Sequence, residues 1–408
     1  MLRLTYQCND CGFTFESEKT EYLCPHCSTK NKPYLPPLGV LKVLYDYNTI
    51  KKKGDQVLNS LIEEEFLSLL PIQSNKSLPF LRVGKTPLYR HRLAECELII
   101  KDDSLNPTFS FKDRASAIVS AYAKENNIQT IVAASTGNAG SSLAGICAAQ
   151  KQKAVIFVPA AAPKAKLSQI MMYGAQIVPV AGNYDQAFDL SVAITEKYGF
   201  YNRNTAFNPL TIEGKKTVSF EVVQQMNGEI PDKIVVPVGD GVIISGVYKG
   251  FEDLLLLGVI SQMPQIIAVQ AEGSSNIVDN LNSNTFVSTP SKTIADSISV
   301  DIPRNFYMAK KFIKTYNGLG IKVSDEEILR ASKMLSSLFG LFSEPAASTA
   351  YAGFLRLQNQ GMIKKDEKVL VLLTGSGLKD LNAVQSLLQM PSPVEATMTA
   401  VEHFLQLK

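Results

Sequence analysis

The feature that most constrains the fold is a regular alternation of apolar runs and helical periodicity between residues 130 and 197. Ile131–Ala134, Ala154–Val158 and Gln176–Val180 read as strands, and Gly137–Gln150, Ala165–Tyr173 and Asp185–Lys197 as helices. Strand and helix alternating at this spacing point to a parallel sheet with right-handed crossovers. A second alternating region has strands at Lys233–Val238 and Gln265–Gln270 around a helix at Ile244–Gly258. Helices at Asp325–Phe339 and Ala346–Gln360 and a strand at Val369–Leu373 follow. The prediction is an α/β protein of two doubly wound parallel-sheet domains, with ligands in the cleft at the carboxyl ends of the strands. Residues 121–205 form the smaller, mobile domain, which closes over substrate and excludes water. Residues 38–120 and 206–408 form the larger one.

Ahead of this core stand Cys8-Asn9-Asp10-Cys11 and Cys24-Pro25-His26-Cys27, two C-x2-C pairs with twelve residues between them. Two tight turns that each present two thiolates can close a tetrahedral zinc site, which substitutes for a core too small to fold alone. A redox dithiol is the alternative, but such motifs come singly beside a helix. Residues 1–37 are therefore read as a zinc-ribbon-like segment with Cys8, Cys11, Cys24 and Cys27 as ligands, and His26 as a surface residue. Four thiolates leave no open position, so the site is structural. Cys96 and Cys147 are read as buried thiols. Lys32–Tyr47, with Pro33, Pro36 and Pro37, reads as a stiff linker. Lys51–Leu70 reads as one amphipathic helix, and Glu97–Lys101 as a strand.

Composition narrows the class. Across 408 residues the formal net charge is +3, too small and too scattered for nucleic acid or an anionic membrane. The first residues lack the apolar core of a signal peptide, and the longest apolar runs fall short of a membrane span. With cysteines used as a metal pattern, the reading is a cytoplasmic protein.

The candidate chemistry lies in four loops. Asn106 to Arg114, with Pro107 biasing the residue before it away from helix, runs into a helix that reads from Ala115 to Glu125, with Ser110 as N-cap. Lys112 falls in the first helical turn, where the helix dipole disfavours a cation. It is either a solvated surface lysine or an amine of lowered pKa able to bond a carbonyl carbon. Ser135-Thr136-Gly137-Asn138 follows a strand and opens a helix, so hydroxyls, an amide and free N–H groups can seat a carboxylate. Gly239-Asp240-Gly241 follows the next strand, and its glycines let N–H groups converge on an anion such as phosphate. It matches neither the P-loop nor the dinucleotide pattern. Thr374-Gly375-Ser376-Gly377 follows the last strand and offers a neutral hydroxyl to a ring nitrogen. A lysine, a carboxylate seat, a phosphate seat and a neutral hydroxyl are what a pyridoxal-phosphate site needs.

The motifs Ser110-Phe111-Lys112-Asp113-Arg114, Ser135-Thr136-Gly137-Asn138, Ile212-Glu213-Gly214-Lys215-Lys216-Thr217, Ser343-Glu344-Pro345-Ala346 and Leu373 to Asp380 resemble the fold-type-II pyridoxal-phosphate enzymes. Their order and spacing, with the cysteine ribbon, most resemble the threonine synthases. The resemblance covers nearly the whole chain. It implies a tryptophan synthase β-like fold, pyridoxal 5′-phosphate in the large domain, and a small amino-acid substrate. Lys112 would hold the cofactor and move protons at the substrate carbon. Asn138 would bond the cofactor's 3′ oxygen, Gly239, Asp240, Gly241, Val242 and Ile243 its phosphate, and Thr374 its ring nitrogen. Ser135, Thr136, Asn208, Thr211 and Lys216 would contact substrate. A homodimer and a monomer both fit the resemblance, and no regulatory domain is expected after Asp380.

Three positions depart from the family pattern. Thr211 stands where an arginine usually grips the substrate phosphate, and a hydroxyl has no bidentate charge. Gly239-Asp240-Gly241-Val242-Ile243 replaces a Gly-Asn-x-Gly-Asn loop, so Asp240 should aim its carboxylate away from the phosphate. Ala139 and Ser376 replace a common threonine and histidine. Lys215, Lys216 and Arg203 are candidates to compensate. The departures keep open serine or threonine dehydration, β-replacement on serine, phosphoserine or acetylserine, and an inactive paralogue whose ribbon binds a partner.

Overall fold

The computed structural model describes residues 2–407, which form three sheets. The large sheet holds β4 (Leu88–Arg92), β5 (Glu97–Asp102), β10 (Lys233–Pro237), β11 (Gln265–Ala271), β12 (Leu319–Val323) and β13 (Lys368–Leu373) in the order β12-β11-β10-β13-β5-β4. The small sheet holds β6 (Thr130–Ala134), β7 (Lys153–Pro159), β8 (Gln176–Val180) and β9 (Tyr201–Asn202) in the order β8-β7-β6-β9. Every residue of Lys-Ile-Val-Val-Pro in β10 is buried, as expected for a parallel strand covered by helices on both faces. The doubly wound α/β reading holds, with one exception. β4 runs antiparallel to β5 at the edge, and its Leu-Tyr-Arg-His-Arg sequence was too polar to read as a strand.

The third sheet is antiparallel and ordered β2-β1-β3, from β1 (Leu4–Cys8), β2 (Thr14–Ser17) and β3 (Leu41–Leu44). β3 lies inside the stretch expected to be a linker. Leu41 and Val43 are fully buried while Lys42 points outward to Glu252 at 2.8 Å, so period-2 burial builds a strand there despite the prolines before it. The ribbon therefore runs beyond residue 37.

The helix expected over Lys51–Leu70 is broken. It consists of Tyr47–Lys51, a 3₁₀ turn at Gly54–Gln56, Val57–Glu63 and a second 3₁₀ turn. Gly54, Glu65 and Phe66 all take positive φ, which interrupts a right-handed helix. Buried polar nodes fix the larger half. Arg114 is bound by Asp103 and Glu221, and Glu221 also accepts from Lys101 at 2.8 Å. Lys166–Asp296 (2.7 Å) and Arg304–Asp185 (2.5 Å) join the segment carrying the small sheet to the segment between β11 and β12. No helix among the described residues is long and apolar enough to cross a membrane.

Candidate active site

The lysine loop is shaped by its own polar groups. Thr108 donates its N–H (2.7 Å) and hydroxyl (2.5 Å) to the Asp113 carboxylate, and Phe109 takes φ +68°. The helix then begins at Lys112 itself, three residues before the expected Ala115, so Asp113 and Arg114 are helical rather than loop. Ser110 is not its N-cap. The residue instead bridges to Gly375, and its buried hydroxyl oxygen has no hydrogen-bond partner among the described residues. Phe111 N–H donates to the Thr374 carbonyl at 2.9 Å, so the lysine loop and the loop after β13 are sewn together. Lys112 is half-buried in this floor. Burial, reinforced by the nearby Arg203 guanidinium, holds its ammonium below the ordinary lysine range, while Asp240 and Glu344 oppose the shift. Lys112 is therefore not a solvated surface lysine.

The seat after β6 is an open helix end. The helix Asn138–Gln150 has Gly137 at its N-cap, and no side chain caps it. The Ser135 hydroxyl accepts from Gly137 N–H at 3.3 Å, while the first N–H groups of the helix itself have no side-chain cap and could take an incoming carboxylate. Gly140 is what lets this loop sit so close, since a Cβ there would lie 2.4 Å from the Ser135 carbonyl oxygen.

The seat after β10 differs from expectation in one respect. Gly241, at φ +86°, starts the helix Val242–Leu256. Asp240 does not aim away. Its carboxylate accepts from Val242 N–H at 3.1 Å, because the positive end of the helix attracts the nearest anion. The Val242 N–H is thereby spent, leaving Gly241 and Ile243 to offer backbone donors at this end.

Asn138 is buried at the cleft, and its amide donates to both oxygens of Glu344, at 2.9 and 3.1 Å. Burial pushes the Glu344 carboxyl above its usual range, with Asn138 opposing. Gly375 leaves room for it, since a Cβ there would fall 2.2 Å from the Glu344 carboxylate. Glu344 was visible in sequence only as part of a motif. Arg203 and Lys215 reach the same place. An Arg203 N–H donates to the Lys112 carbonyl at 3.4 Å, and Asp240 is the carboxylate nearest in effect to both. The Tyr184 phenol, raised to about 12 by burial and Asp240, completes this side.

Three residues expected to contact substrate are already engaged by the protein itself. The Asn208 amide donates to the Asn202 carbonyl and accepts from Leu210 N–H, so it holds the 202–210 loop together. The Thr211 hydroxyl donates to the Asn208 carbonyl at 2.7 Å. Lys216 is wholly buried, paired with Glu213 (2.5 Å) and Asp253 (2.8 Å), with its ammonium 3.9 Å from the Tyr45 ring centroid. All three are fully buried. Cavities of about 280 and 290 Å³ also exist, but neither is lined by Lys112, Asn138 or Thr374.

At the other end of the chain, the Cys8, Cys11, Cys24 and Cys27 sulfurs all lie within 4.8 Å of one another. Cys8–Cys27 and Cys11–Cys24 are each 3.8 Å apart.

Comparison with known proteins decides what this constellation serves. The family described as pyridoxal-phosphate dependent enzyme matches residues 80–375. The threonine synthase of Methanocaldococcus jannaschii is 33% identical over 98% of this chain and 99% of that protein. That of Methanosarcina acetivorans is 34% identical over 97% of each. The chain belongs to the threonine synthase family of pyridoxal-phosphate-dependent enzymes. Solved structures of more distant relatives share the fold. The processed threonine deaminase isoform 2 of Solanum lycopersicum superposes with a TM-score of 0.66 at 21% identity, covering 83% of this chain and 94% of that one. The residues fit the family's cofactor. The Lys112 ammonium makes no ion pair among the described residues, the Ser110 hydroxyl beside it is orphaned, and two helix ends with free N–H groups face the same cleft.

Proposed function

We propose that the protein is a threonine synthase that converts O-phospho-L-homoserine and water to L-threonine and phosphate. The observation that carries this reading is an unpaired, desolvated lysine at a helix start, in a chain alike from end to end to threonine synthases. Bound pyridoxal phosphate supplies an electron sink that makes protons on the substrate's carbons removable. Lys112 holds the cofactor and carries protons at the substrate Cα. Ser135, Thr136 and the uncapped N–H groups of the Asn138 helix hold the substrate carboxylate. The N–H groups of Gly241 and Ile243 would hold the cofactor phosphate, and the Thr374 hydroxyl would partner its ring nitrogen. Asn138, whose amide now donates to Glu344, would turn that N–H to the 3′ oxygen when the cofactor is bound. The γ C–O bond breaks to release phosphate, Cγ ends as a methyl group, and water supplies the hydroxyl on Cβ. With O-phospho-L-homoserine, the cofactor-loaded protein is expected to form threonine and phosphate in equal amounts, followed by NMR. A second reading, serine or threonine dehydration, is favoured by Thr211, whose hydroxyl is spent on the backbone and brings no charge. Formation of a 2-oxo acid from serine or threonine, with no phosphate release from phosphohomoserine, would replace the first reading by the second.

The cysteine cluster is assigned to a structural zinc ion. Tetrahedral Zn–S bonds of about 2.3 Å require sulfurs about 3.8 Å apart, which matches the two close pairs. Gly39, at φ +87°, packs against Cys24 and Cys27 so closely that a Cβ would lie 3.2 Å from the Cys24 nitrogen. Metal analysis is expected to find one zinc per chain, lost in Cys8→Ser/Cys24→Ser. Protein purified under reducing conditions without zinc would sink the assignment.

A further inference from the structure

Lys215 and Lys216 are neighbours in sequence, both fully buried, and solved differently. Lys216 is enclosed by Glu213 and Asp253. Lys215 has only the Thr205 hydroxyl, at 3.2 Å, and among the described residues forms no ion pair. An ammonium removed from water without a counter-ion costs several kcal/mol, so packing alone gives no reason for a lysine here. Burial, followed by the Arg203 and Lys112 charges, drives its ammonium well below the ordinary lysine range. The stem is fixed from behind, because a Cβ on Gly246 would lie 2.6 Å from the Lys215 Cβ.

Position on the helix gives the reason. Lys215 follows Thr211 by one turn in the helix Leu210–Lys215, so the two lie on one face. Helical side chains lean toward the N-terminus, which carries the Lys215 ammonium back over Thr211 to Thr205. A cation is thus delivered over the spot from which the family's arginine would project. Around it, Lys112 has Glu344 as well as Asp240, and Arg203 has Asp113 as well as Asp240, whereas Lys215 has Asp240 alone. Lys215 is thus the one of the three without a carboxylate of its own, a place that suits a phosphate monoester dianion.

We propose that Lys215, supported by Arg203, is the residue that binds the phosphate of the substrate and sets the enzyme's specificity for a phosphorylated amino acid. The inference rests on the threonine synthase reading for the identity of the ester, but its anion site can be read without turnover. The cofactor's phosphate would have a separate seat, at the start of the helix Val242–Leu256.

The test compares wild type, Lys215→Gln and Lys215→Arg as cofactor-loaded enzymes. Inorganic phosphate is expected to raise the melting temperature of wild type and Lys215→Arg, as a ligand that binds only the native state must, and to leave Lys215→Gln unmoved. In phosphate-free buffer Lys215→Gln should melt no lower than wild type, since it removes an unpaired buried charge. KM for O-phospho-L-homoserine should rise about 30-fold in Lys215→Gln, as for a lost charged hydrogen bond, with kcat changed less than about 5-fold. Cofactor affinity should be unchanged. A wild type unable to turn over phosphohomoserine would defeat the threonine synthase reading, while the melting response to phosphate would still decide the anion site. The proposal is overturned if wild type ignores phosphate, if Lys215→Gln responds as wild type does, or if the variant's loss falls on cofactor affinity.

Discussion

Lys112→Ala is expected to lower turnover by at least about 10³-fold, within the range a positioned proton-transfer group supplies, while the protein stays folded. Borohydride reduction followed by peptide mapping should fix the cofactor to the Lys112 peptide in wild type and to no peptide in the variant. The separation of function from stability follows from the structure. Lys112 is the first residue of its helix, and its ammonium forms no ion pair among the described residues, so alanine breaks no ion pair. Alanine is also the best helix former, and the change removes a cation from the positive end of a helix. The melting temperature should therefore hold. Retained turnover would remove Lys112 from the chemistry, and a collapsed fold would mean that its role is structural.

The largest effect on stability is expected at Asp253. Its carboxylate pairs with Lys216 and Lys249 and accepts the Tyr47 hydroxyl at 2.6 Å, all in a fully buried setting. Glu213 extends the cluster, accepting from the Tyr45 hydroxyl at 2.7 Å and from Val43 N–H at 3.3 Å. The network thus ties β3 of the ribbon to the helices that carry Lys215 and Gly241. Asp253→Ala leaves two buried ammoniums facing one remaining carboxylate. Removing one partner of a buried ion pair costs about 3–5 kcal/mol, to be read from the urea midpoint. Asp253→Asn, which keeps the shape and loses the charge, should fall between. A loss below about 1 kcal/mol for the alanine variant would show that the lysines find other partners or sit neutral.

These two residues also mark where sequence reading stops. Lys112 was legible because its signal is local: a loop with proline, a helix start, and a cation at the wrong end of a dipole. The loops at Ser135 and Gly239 were legible for the same reason, since each lies at a strand-to-helix transition whose period is written in neighbouring residues. The Thr374 loop was legible because it ends an apolar strand. Asp253 carried no such signal. Its partner Lys216 lies 37 positions away, and Lys216 alone looked like any lysine beside a substrate loop. Glu344 meets Asn138 across 206 positions. The break in the Lys51–Leu70 helix was likewise hidden, because apolar spacing continues through the residues whose φ turns positive.

The sequence by itself determined the α/β alternation, the paired cysteines and the polar loops that carry Lys112, Ser135, Gly239 and Thr374. Periodicity and turn chemistry act within a few residues, so they survive reading one segment at a time. Only the tertiary structure decided that Lys216 is a strut and Lys215 an unpaired cation, that Asp240 turns onto its own helix, and that Glu344 enters the site. The reason is that a buried charge is governed by whichever charges fold against it, and those arrive from elements distant in the chain.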